Sequence, residues 1–289
     1  MASIKSLKSR IRSVGSTKQI TKAMQLVAAS KMRRAQDAEK ASVPYVRAAS
    51  ELLTYLASQG ATDEHPLFEQ RDVKARLIVV IAADKGLAGA YNSNILKAYL
   101  NELKSADAAG ISSKTIAIGR RVAQFVSRLK DNEVVGVYED LPDRPDGRQI
   151  RAILDTATEL YVTGEVDAVD VIYTDFKSSI RQDAVTKPLL PAGFTKTDVS
   201  LNVSEAKYEP NIPDVLDSVT KRLITARLFQ AMLDARASEH SMRMLAMKNA
   251  TDNASDLIDD LTLEMNKARQ GAITQELAEI SGGVEALND

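Results

Sequence analysis

Apolar residues in the C-terminal third of the chain recur at alternating spacings of three and four, which is the pattern of a coiled-coil helix. One phase of this pattern passes through nineteen positions, of which fourteen are apolar. At roughly 1.5 Å per residue the predicted helix is on the order of 100 Å long, so we expect it to project from any compact domain. The positions are Leu216, Val219, Leu223, Ala226, Gln230, Leu233, Ala237, His240, Met244, Met247, Thr251, Ala254, Ile258, Leu261, Met265, Ala268, Ala272, Gln275 and Glu279.

Glycine and proline are consistent with this single long helix. Between Asn211 and Gln270 there is no glycine and only one proline, Pro213. A proline near a helix start costs little, because the first N–H groups have no partner inside the helix. We therefore expect the helix to begin near Pro213.

The N-terminal segment offers a second helix. Ser3 can cap it, and an apolar stripe follows that we expect to slip phase after Val14. Pro44 is expected to bend this helix without ending it. Because both helices flank one insert, the simplest arrangement is an antiparallel pair with small residues in its seam. The predicted stripe is Ile4, Leu7, Ile11, Val14, then Ile20, Met24, Val27, Ala28, Met32, Ala35, Tyr45, Ala48, Leu52 and Leu56.

The middle of the chain alternates between strand-like and helical patterns. Strand-like runs lie at Leu77–Ala82, Thr115–Ile118, Val134–Tyr138 and Asp170–Phe176, separated by helical stretches at 92–106, 120–130 and 148–162. Such alternation predicts an α/β domain with a largely parallel sheet. We expect the segment from Lys177 to Pro191 to be a loop that leads into a last strand.

The sequence thus predicts an α/β fold in which a long antiparallel two-helix coiled coil, formed by the N- and C-terminal helices, carries an inserted Rossmann-like α/β domain. The expected domains are residues 1–58, 75–205 and 210–289, with the first and last paired.

Charge is polarised between the two ends, although the net charge is only −1. Residues 1–36 hold nine basic residues and no acidic one, whereas residues 251–289 hold nine acidic residues and two basic ones. Taken alone, the basic end suits a mitochondrial transit peptide, a nucleic-acid-binding arm or a solvated helix face. The chain has no cysteine, which excludes disulfides and thiolate chemistry, and no apolar run approaches the ~18 residues of a membrane span.

The search for chemistry gives a negative result. No phosphate-binding loop of the Walker type is present, and the turn Asp84–Gly89 has a G-x-x-G spacing that is only a weak nucleotide signal. The alternative for this turn is a tight strand-to-helix connection that needs glycine. His65 and His240 lie in unrelated segments, and the adjacent Asp259 and Asp260 face different directions on a helix. We therefore predict no catalytic, cofactor or metal site, and a function in binding or mechanics.

Several motifs resemble those of ATP synthase γ subunits. Ile20–Arg34 is similar to the family's N-terminal helix, and Ala246–Ala254, Asn266–Gln270 and Ile273–Ile280 are similar to its C-terminal helix. The turn Asp84–Gly89 resembles the family's D-[RK]-G-L-[CA]-G turn. The resemblance covers the whole chain, and it sets aside the transit-peptide and nucleic-acid interpretations.

The resemblance implies a central rotor shaft with no catalytic site and no cofactor. The coiled coil would turn inside a head of α and β subunits, and the α/β domain would rest with the ε subunit on the membrane c-ring, so that proton flow drives ATP synthesis. A bacterial member would be a peripheral membrane protein on the cytoplasmic side of the inner membrane. Such a shaft must be asymmetric, because a symmetric one would favour no catalytic site over another.

The resemblance also implies contact residues. Met24 and Arg243 match positions that couple the shaft to a β-subunit loop. Upper contacts match Arg269, Gln270, Thr274 and Glu276. Tyr208, Glu209 and Pro210 match the foot that meets ε and the c-ring. A rival function from another class is a coiled-coil tether that forms a homodimer by itself, and a third is a nucleotide-binding enzyme that uses the Asp84–Gly89 turn.

Overall fold

The structure, a computed structural model, describes residues 3–63, 65–129, 132–144, 146–193, 198–204, 208–209 and 211–288. Its helices are α1 (Ile4–Ser58), α2 (Tyr91–Ala108), α3 (Arg120–Val126), α4 (Gly147–Val162), α5 (Leu201–Ser204) and α6 (Ile212–Asn288), with a short 3₁₀ turn at Pro66–Phe68. Its strands are β1 (Ala75–Ile81), β2 (Ser112–Ile118), β3 (Glu133–Tyr138), β4 (Ala168–Phe176) and β5 (Gln182–Leu190).

The chain forms two compact units. A terminal unit combines the residues up to Ala28 with those from Met244 onward, and a central unit comprises Ala29–Arg243. These units follow spatial compactness and divide each long helix between them. The domain limits expected from the sequence, at 1–58, 75–205 and 210–289, therefore stay a prediction.

The central unit contains a five-stranded sheet in the order β3-β2-β1-β4-β5. The first four of these strands are parallel, and β5 pairs antiparallel with β4. Side chains of β1 alternate between the two faces: Leu77 and Val79 pack in one apolar cluster, Ile78 and Val80 in the other. Helices α2 and α3 cover one face, whereas α4 and the 224–235 stretch of α6 cover the other. The predicted Rossmann-like sheet is confirmed.

The expected loop at Lys177–Pro191 is wrong, because most of it is strand β5. This strand is polar at several positions and contains Pro188, which made a loop the simpler expectation from sequence. It lies at the edge of the sheet, where one side of the backbone has no strand partner and a proline is tolerated. Strand β5 thus follows β4 in the chain and pairs with it as an antiparallel hairpin.

Both long helices of the structure follow the predicted end signals. Ser3 Oγ accepts a hydrogen bond from the Ser6 N–H, and α1 continues through Pro44 to Ser58. Asn211 Oδ1 accepts from the Asp214 N–H, 2.9 Å away, at the start of α6. In the central unit the two helices share a small apolar cluster that contains Leu53, Leu56, Leu216 and Leu223.

The terminal unit is an antiparallel helix pair. The hydroxyls of Thr21 and Thr251 are 2.8 Å apart, and Lys18 Nζ donates to Ser255 Oγ over 2.8 Å. Residue numbers therefore fall along α1, from 21 to 18, as they rise along α6, from 251 to 255. This confirms the predicted antiparallel coiled coil. Of the nineteen seam positions predicted on α6, the sixteen from Leu216 to Ala268 are buried or half-buried, whereas Ala272, Gln275 and Glu279 are exposed.

The predicted phase slip in α1 is wrong. The buried and half-buried positions keep one heptad phase along the helix, and after Val14 it continues through polar residues. Contrary to the prediction, Ile4, Ile20, Val27, Tyr45 and Ala48 are exposed. The phase was hard to see because Lys18 and Thr21 hydrogen-bond across the seam while apolar residues stand outside it. The observed positions are Leu7, Ile11, Val14, Lys18, Thr21, Gln25, Ala28, Met32, Ala35, Glu39, Ser42, Val46, Ala49, Leu53 and Leu56.

Candidate functional site

The end of α6 runs past its partner in the terminal unit. Thr21 lies 17 residues after the start of α1 at Ile4, whereas 37 residues follow Thr251 up to the end of α6 at Asn288. About 20 residues of α6 therefore have no counterpart on α1. Consistent with this overhang, every residue from 271 to 281 is exposed.

The predicted upper contacts lie around this overhang. Arg269, Gln270, Thr274 and Glu276 are all exposed. The Thr274 hydroxyl donates to the Gln270 carbonyl, one turn earlier, which stabilises the hydroxyl without involving another element. The same stretch exposes apolar side chains that a free helix has no reason to keep in water: Ile273, Leu277 and Ile280, with exposed fractions of 50%, 60% and 65%.

A second exposed surface lies on the α1 side of the terminal unit. Met24 is half-buried there, on the same helix face as Ile20 and Val27, which are 60% and 56% exposed. On another face of α1 a shallow groove of about 730 Å³ is lined by two lysines, two uncharged polar residues and small or apolar residues, among them Leu26, which is 61% exposed. The motif comparison pointed to Met24 but not to its apolar neighbours. These neighbours could have been found in the sequence, because they are apolar residues that lie outside the heptad positions of the seam. The lining residues are Gly15, Lys18, Gln19, Lys22, Ala23, Leu26 and Thr251.

Arg243, the other predicted coupling residue, lies in a buried ionic cluster of the central unit. Its guanidinium contacts Glu239 Oε1 at 2.8 Å and donates to the Gly86 carbonyl at 3.3 Å. Glu239, which is 4% exposed, also accepts from Arg236 at 2.9 Å. The second amino group of Arg236 donates to the Leu141 carbonyl at 2.8 Å. Charged residues three or four apart on a helix usually mark a solvated face, so sequence reasoning missed this buried cluster.

Asp84 completes the cluster from the turn after β1. Its Oδ2 lies 3.5 Å from Arg236, and its Oδ1 accepts from the backbone N–H groups of Arg120 and Asp140. One carboxylate therefore joins α6 to the start of α3 and to the loop after β3. We call Asp84, Arg236, Glu239 and Arg243 the carboxylate clamp.

His240 lies beside the carboxylate clamp and is buried. Its Nδ1 accepts from Arg243, and its Nε2 is 3.3 Å from Asp143, which in turn pairs with Lys31 at 2.9 Å. Burial lowers the pKa of His240, although Glu239 and Asp143 oppose the shift. The neutral ring then donates from Nε2 to Asp143, so the contacts define its tautomer. His240 and Asp143 thus join α6 to the loop after β3, and Lys31 extends the contact to α1.

These contacts fill the crevice where an open α/β sheet usually binds its ligand. Such ligands sit outside the carboxyl ends of the strands, where the strand order reverses. Here residues 236–243 of α6 take that place, since they contact the segments that follow β1 and β3, and Ser238 donates to the Thr174 carbonyl in β4.

The Asp84–Gly89 turn itself is shaped by backbone geometry. Leu87 and Gly89 have φ angles of 61° and 55°, and a Cβ on Gly86 would lie 2.7 Å from the Arg121 guanidinium. The turn thus satisfies the tight-connection interpretation. Among the described residues, no group of three or more His, Cys, Asp or Glu side chains could hold a metal ion.

The predicted foot residue Tyr208 lies beside the C-terminal end of α1. The Tyr208 ring stacks on Tyr55 with 5.8 Å between centroids, and its hydroxyl donates to the Val203 carbonyl. Glu209 is exposed. Pro210 lies outside the described residues. Within the described ranges, no helix combines the length and apolar content that a membrane span requires.

Comparisons with known proteins agree on one family. The family model described as ATP synthase matches residues 3–287. The ATP synthase gamma chain of Staphylococcus saprophyticus is 38% identical over 290 residues, which cover 99% of this chain and all of that protein. The gamma chain of Ralstonia nicotianae is also 38% identical, with the same coverage.

Solved structures share the fold at lower identity. A chain from the mitochondrial ATP synthase of Euglena gracilis, in a complex of OSCP, F1 and c-ring, matches with a TM-score of 0.66 and 16% identity, over 98% of this chain and 94% of that one. A chain from the central stalk and c-ring of the Tetrahymena thermophila enzyme matches with a TM-score of 0.61 and 23% identity, over 80% and 99%.

Proposed function

The chain belongs to the family of ATP synthase gamma chains, and we propose how its two units serve as the central rotor shaft of such a complex. The shaft is a non-catalytic subunit of the complex that makes ATP. Its task is to convert rotation into conformational change at sites that other subunits carry.

The overhang of α6 is the observation that supports the assignment of the head contacts. Beyond its partner the helix exposes Ile273, Leu277 and Ile280, which share one face at spacings of four and three, and a surrounding protein would remove this apolar stripe from water. We assign this end to the head formed by the α and β subunits, with Arg269, Gln270, Thr274 and Glu276 as polar contacts. The same end is asymmetric, as a shaft that biases three sites in turn requires.

We assign Met24, with the exposed Ile20 and Val27 on the same helix face, to a β-subunit loop. The groove on another face of α1 carries Lys18 and Lys22, which favours carboxylates on the partner surface that faces it. Arg243 is the weaker candidate for this contact, because its guanidinium already pairs with Glu239 and Gly86.

We assign the foot, with Tyr208 and Glu209, to the ε subunit and the c-ring. The shaft would then be held at the membrane by its partners, peripherally, on the cytoplasmic side of a bacterial inner membrane. Proton flow through the membrane sector would drive its rotation during ATP synthesis.

Co-purification tests these assignments. The tagged chain is extracted from native membranes in mild detergent, and the partners are identified by mass. We expect α, β, ε and c subunits together with ATP hydrolysis. Recovery of a stable homodimer free of these partners would support the tether and refute the rotor assignments.

Met24→Lys tests the β-subunit contact. A new cation at this position can form an ion pair that must break in each turn, so ATP-driven proton pumping should fall while ATP hydrolysis persists. A matched variant is Ala28→Lys, which puts a cation at a seam position that is 2% exposed and should damage the helix pair itself. Proportional loss of pumping and hydrolysis in Met24→Lys would contradict the assignment.

A further inference from the structure

The contacts of α6 in the central unit change in kind along the helix. Up to Ala235 the helix packs on the sheet through apolar side chains, among them Ile224, Leu228 and Met232. From Arg236 onward polar contacts predominate, although the residues remain largely buried and Met242 still packs on the apolar side chains of Ala83, Ala88 and Tyr91. The carboxylate clamp marks this change.

Apolar and ionic contacts resist different motions. Apolar packing opposes separation of two surfaces, but it is non-directional. Hydrogen bonds between guanidinium and carboxylate groups have fixed angles and distances, so they oppose sliding and rotation as well. In the clamp, Glu239 holds both Arg236 and Arg243, and these two arginines reach the Leu141 and Gly86 carbonyls on different loops.

The clamp is also balanced in charge. Two guanidiniums face two carboxylates, and each of the four side chains is no more than 12% exposed. Removal of one charge leaves another without its partner in a place that water hardly reaches, which is why such a pair is costly to break. A buried pair contributes little net stability over an apolar replacement, so the geometry that it imposes is the more direct reason for its presence.

We propose that Asp84 and Glu239 are positioning residues that lock α6 to the sheet, so that the α/β body and the helix turn as one piece when the rotor works against a load. This inference rests on the proposed rotor function. Asp84 acts through Arg236, and Glu239 acts through both arginines. Neither carboxylate needs to touch a partner subunit.

Asp84→Asn is the sharpest test, because it separates two roles of one side chain. The amide oxygen can still accept from the Arg120 and Asp140 N–H groups, whereas the amide nitrogen replaces the oxygen that faces Arg236. The turn should therefore keep its shape while the ion pair with Arg236 of α6 is lost. Glu239→Gln is the second variant, and Glu239→Asp, which keeps the charge, should partly restore function to that position.

The measurement uses the whole ATP synthase in membrane vesicles, with the amount of assembled complex determined for each variant. ATP hydrolysis is measured with an uncoupler, and ATP-driven proton pumping is measured against a rising proton gradient. For Asp84→Asn we expect normal assembly and normal uncoupled hydrolysis, with pumping per ATP reduced to about half at the highest gradient. The control Lys221→Gln removes a charge from an exposed pair on the same helix and should pump like the wild type.

Equal pumping per ATP in wild type and Asp84→Asn at every gradient would overturn the proposal. So would a loss that follows the amount of assembled complex, because that is the result of damaged folding alone. If Asp84→Asn assembles poorly, the comparison of Glu239→Gln with Glu239→Asp under load decides. Failure of the proposed function is recognised separately, since the wild-type chain would then not support coupled pumping at all.

Discussion

Asp234 provides a quantitative prediction about stability. This α6 residue is half-buried in the central unit, and its pKa rises from 3.8 to about 7. Burial is the largest cause, and the nearby carboxylates of Glu39 and Asp175 add to it, while Lys187 and Lys177 act in the opposite direction. The ionised form of Asp234 is therefore unfavourable in the folded chain.

The sign of the pH dependence follows from the raised pKa. Between pH 3.8 and about 7 the folded chain holds a proton that the unfolded chain has already lost, so stability falls as pH rises through this window. One pKa unit corresponds to about 1.4 kcal/mol, so the full shift costs about 4 kcal/mol above pH 7. Solvent screening of a half-buried group reduces this cost to about 2 kcal/mol.

Asp234→Asn removes this cost, because the amide stays neutral at every pH. Urea unfolding of the full chain, followed by circular dichroism, should show the variant about 2 kcal/mol more stable than wild type at pH 8 and less than ~1 kcal/mol more stable at pH 4.5. Asp259→Asn removes an exposed carboxylate from the same helix and should change stability by less than about 0.5 kcal/mol at both pH values. A variant that is less stable at pH 8, or an advantage that does not depend on pH, would refute the reasoning.

Three further predictions concern the backbone, the shaft and the nucleotide. Gly119→Ala should lower the free energy of unfolding, measured in urea, by several kcal/mol, because Gly119 has φ 99° and an added Cβ would lie 2.2 Å from the Ala82 carbonyl oxygen. The control Gly15→Ala, whose Cβ would have nothing within 4 Å, should stabilise α1 by about 0.5–1 kcal/mol. Removal of residues 281–289 should leave ATP synthesis in vesicles nearly intact. Ala254→Pro, at a buried seam position, should destabilise the helix by ~3 kcal/mol or more and abolish synthesis. An inactive deletion together with an active proline variant would contradict a stiff shaft. The isolated chain should show no micromolar ATP binding by calorimetry, since α6 fills the crevice at the strand ends.

The sequence predicted those parts of the fold that depend on local periodicity. The four parallel strands and the long C-terminal helix follow from side-chain spacing alone, and each was found within a few residues of its expected limits. Strand β5 was missed because its pairing with β4 is decided by the sheet and not by its own composition.

The contact surfaces were harder to predict for a related reason. At Lys18 and Thr21 a polar side chain lies in the seam because another polar side chain faces it across the pair, and a single sequence does not reveal that partner. The carboxylate clamp is similar: Arg236 and Glu239 have an ordinary helix spacing, and only the distant Asp84 and the Leu141 carbonyl make them a buried group. The roles of Met24 and Arg269 rest on motif resemblance and stay predictions.

The pairing of Thr21 with Thr251 has a consequence for biosynthesis. The two residues are 230 positions apart, so at about 5–20 residues per second the ribosome adds the second one roughly 10–50 s after the first. The sheet of the central unit is encoded between them and can fold during this interval. The seam of the N-terminal helix has no partner until the second half of α6 has been synthesised. The helix pair must therefore close late in synthesis, and until then the emerging chain exposes the apolar side chains of that seam.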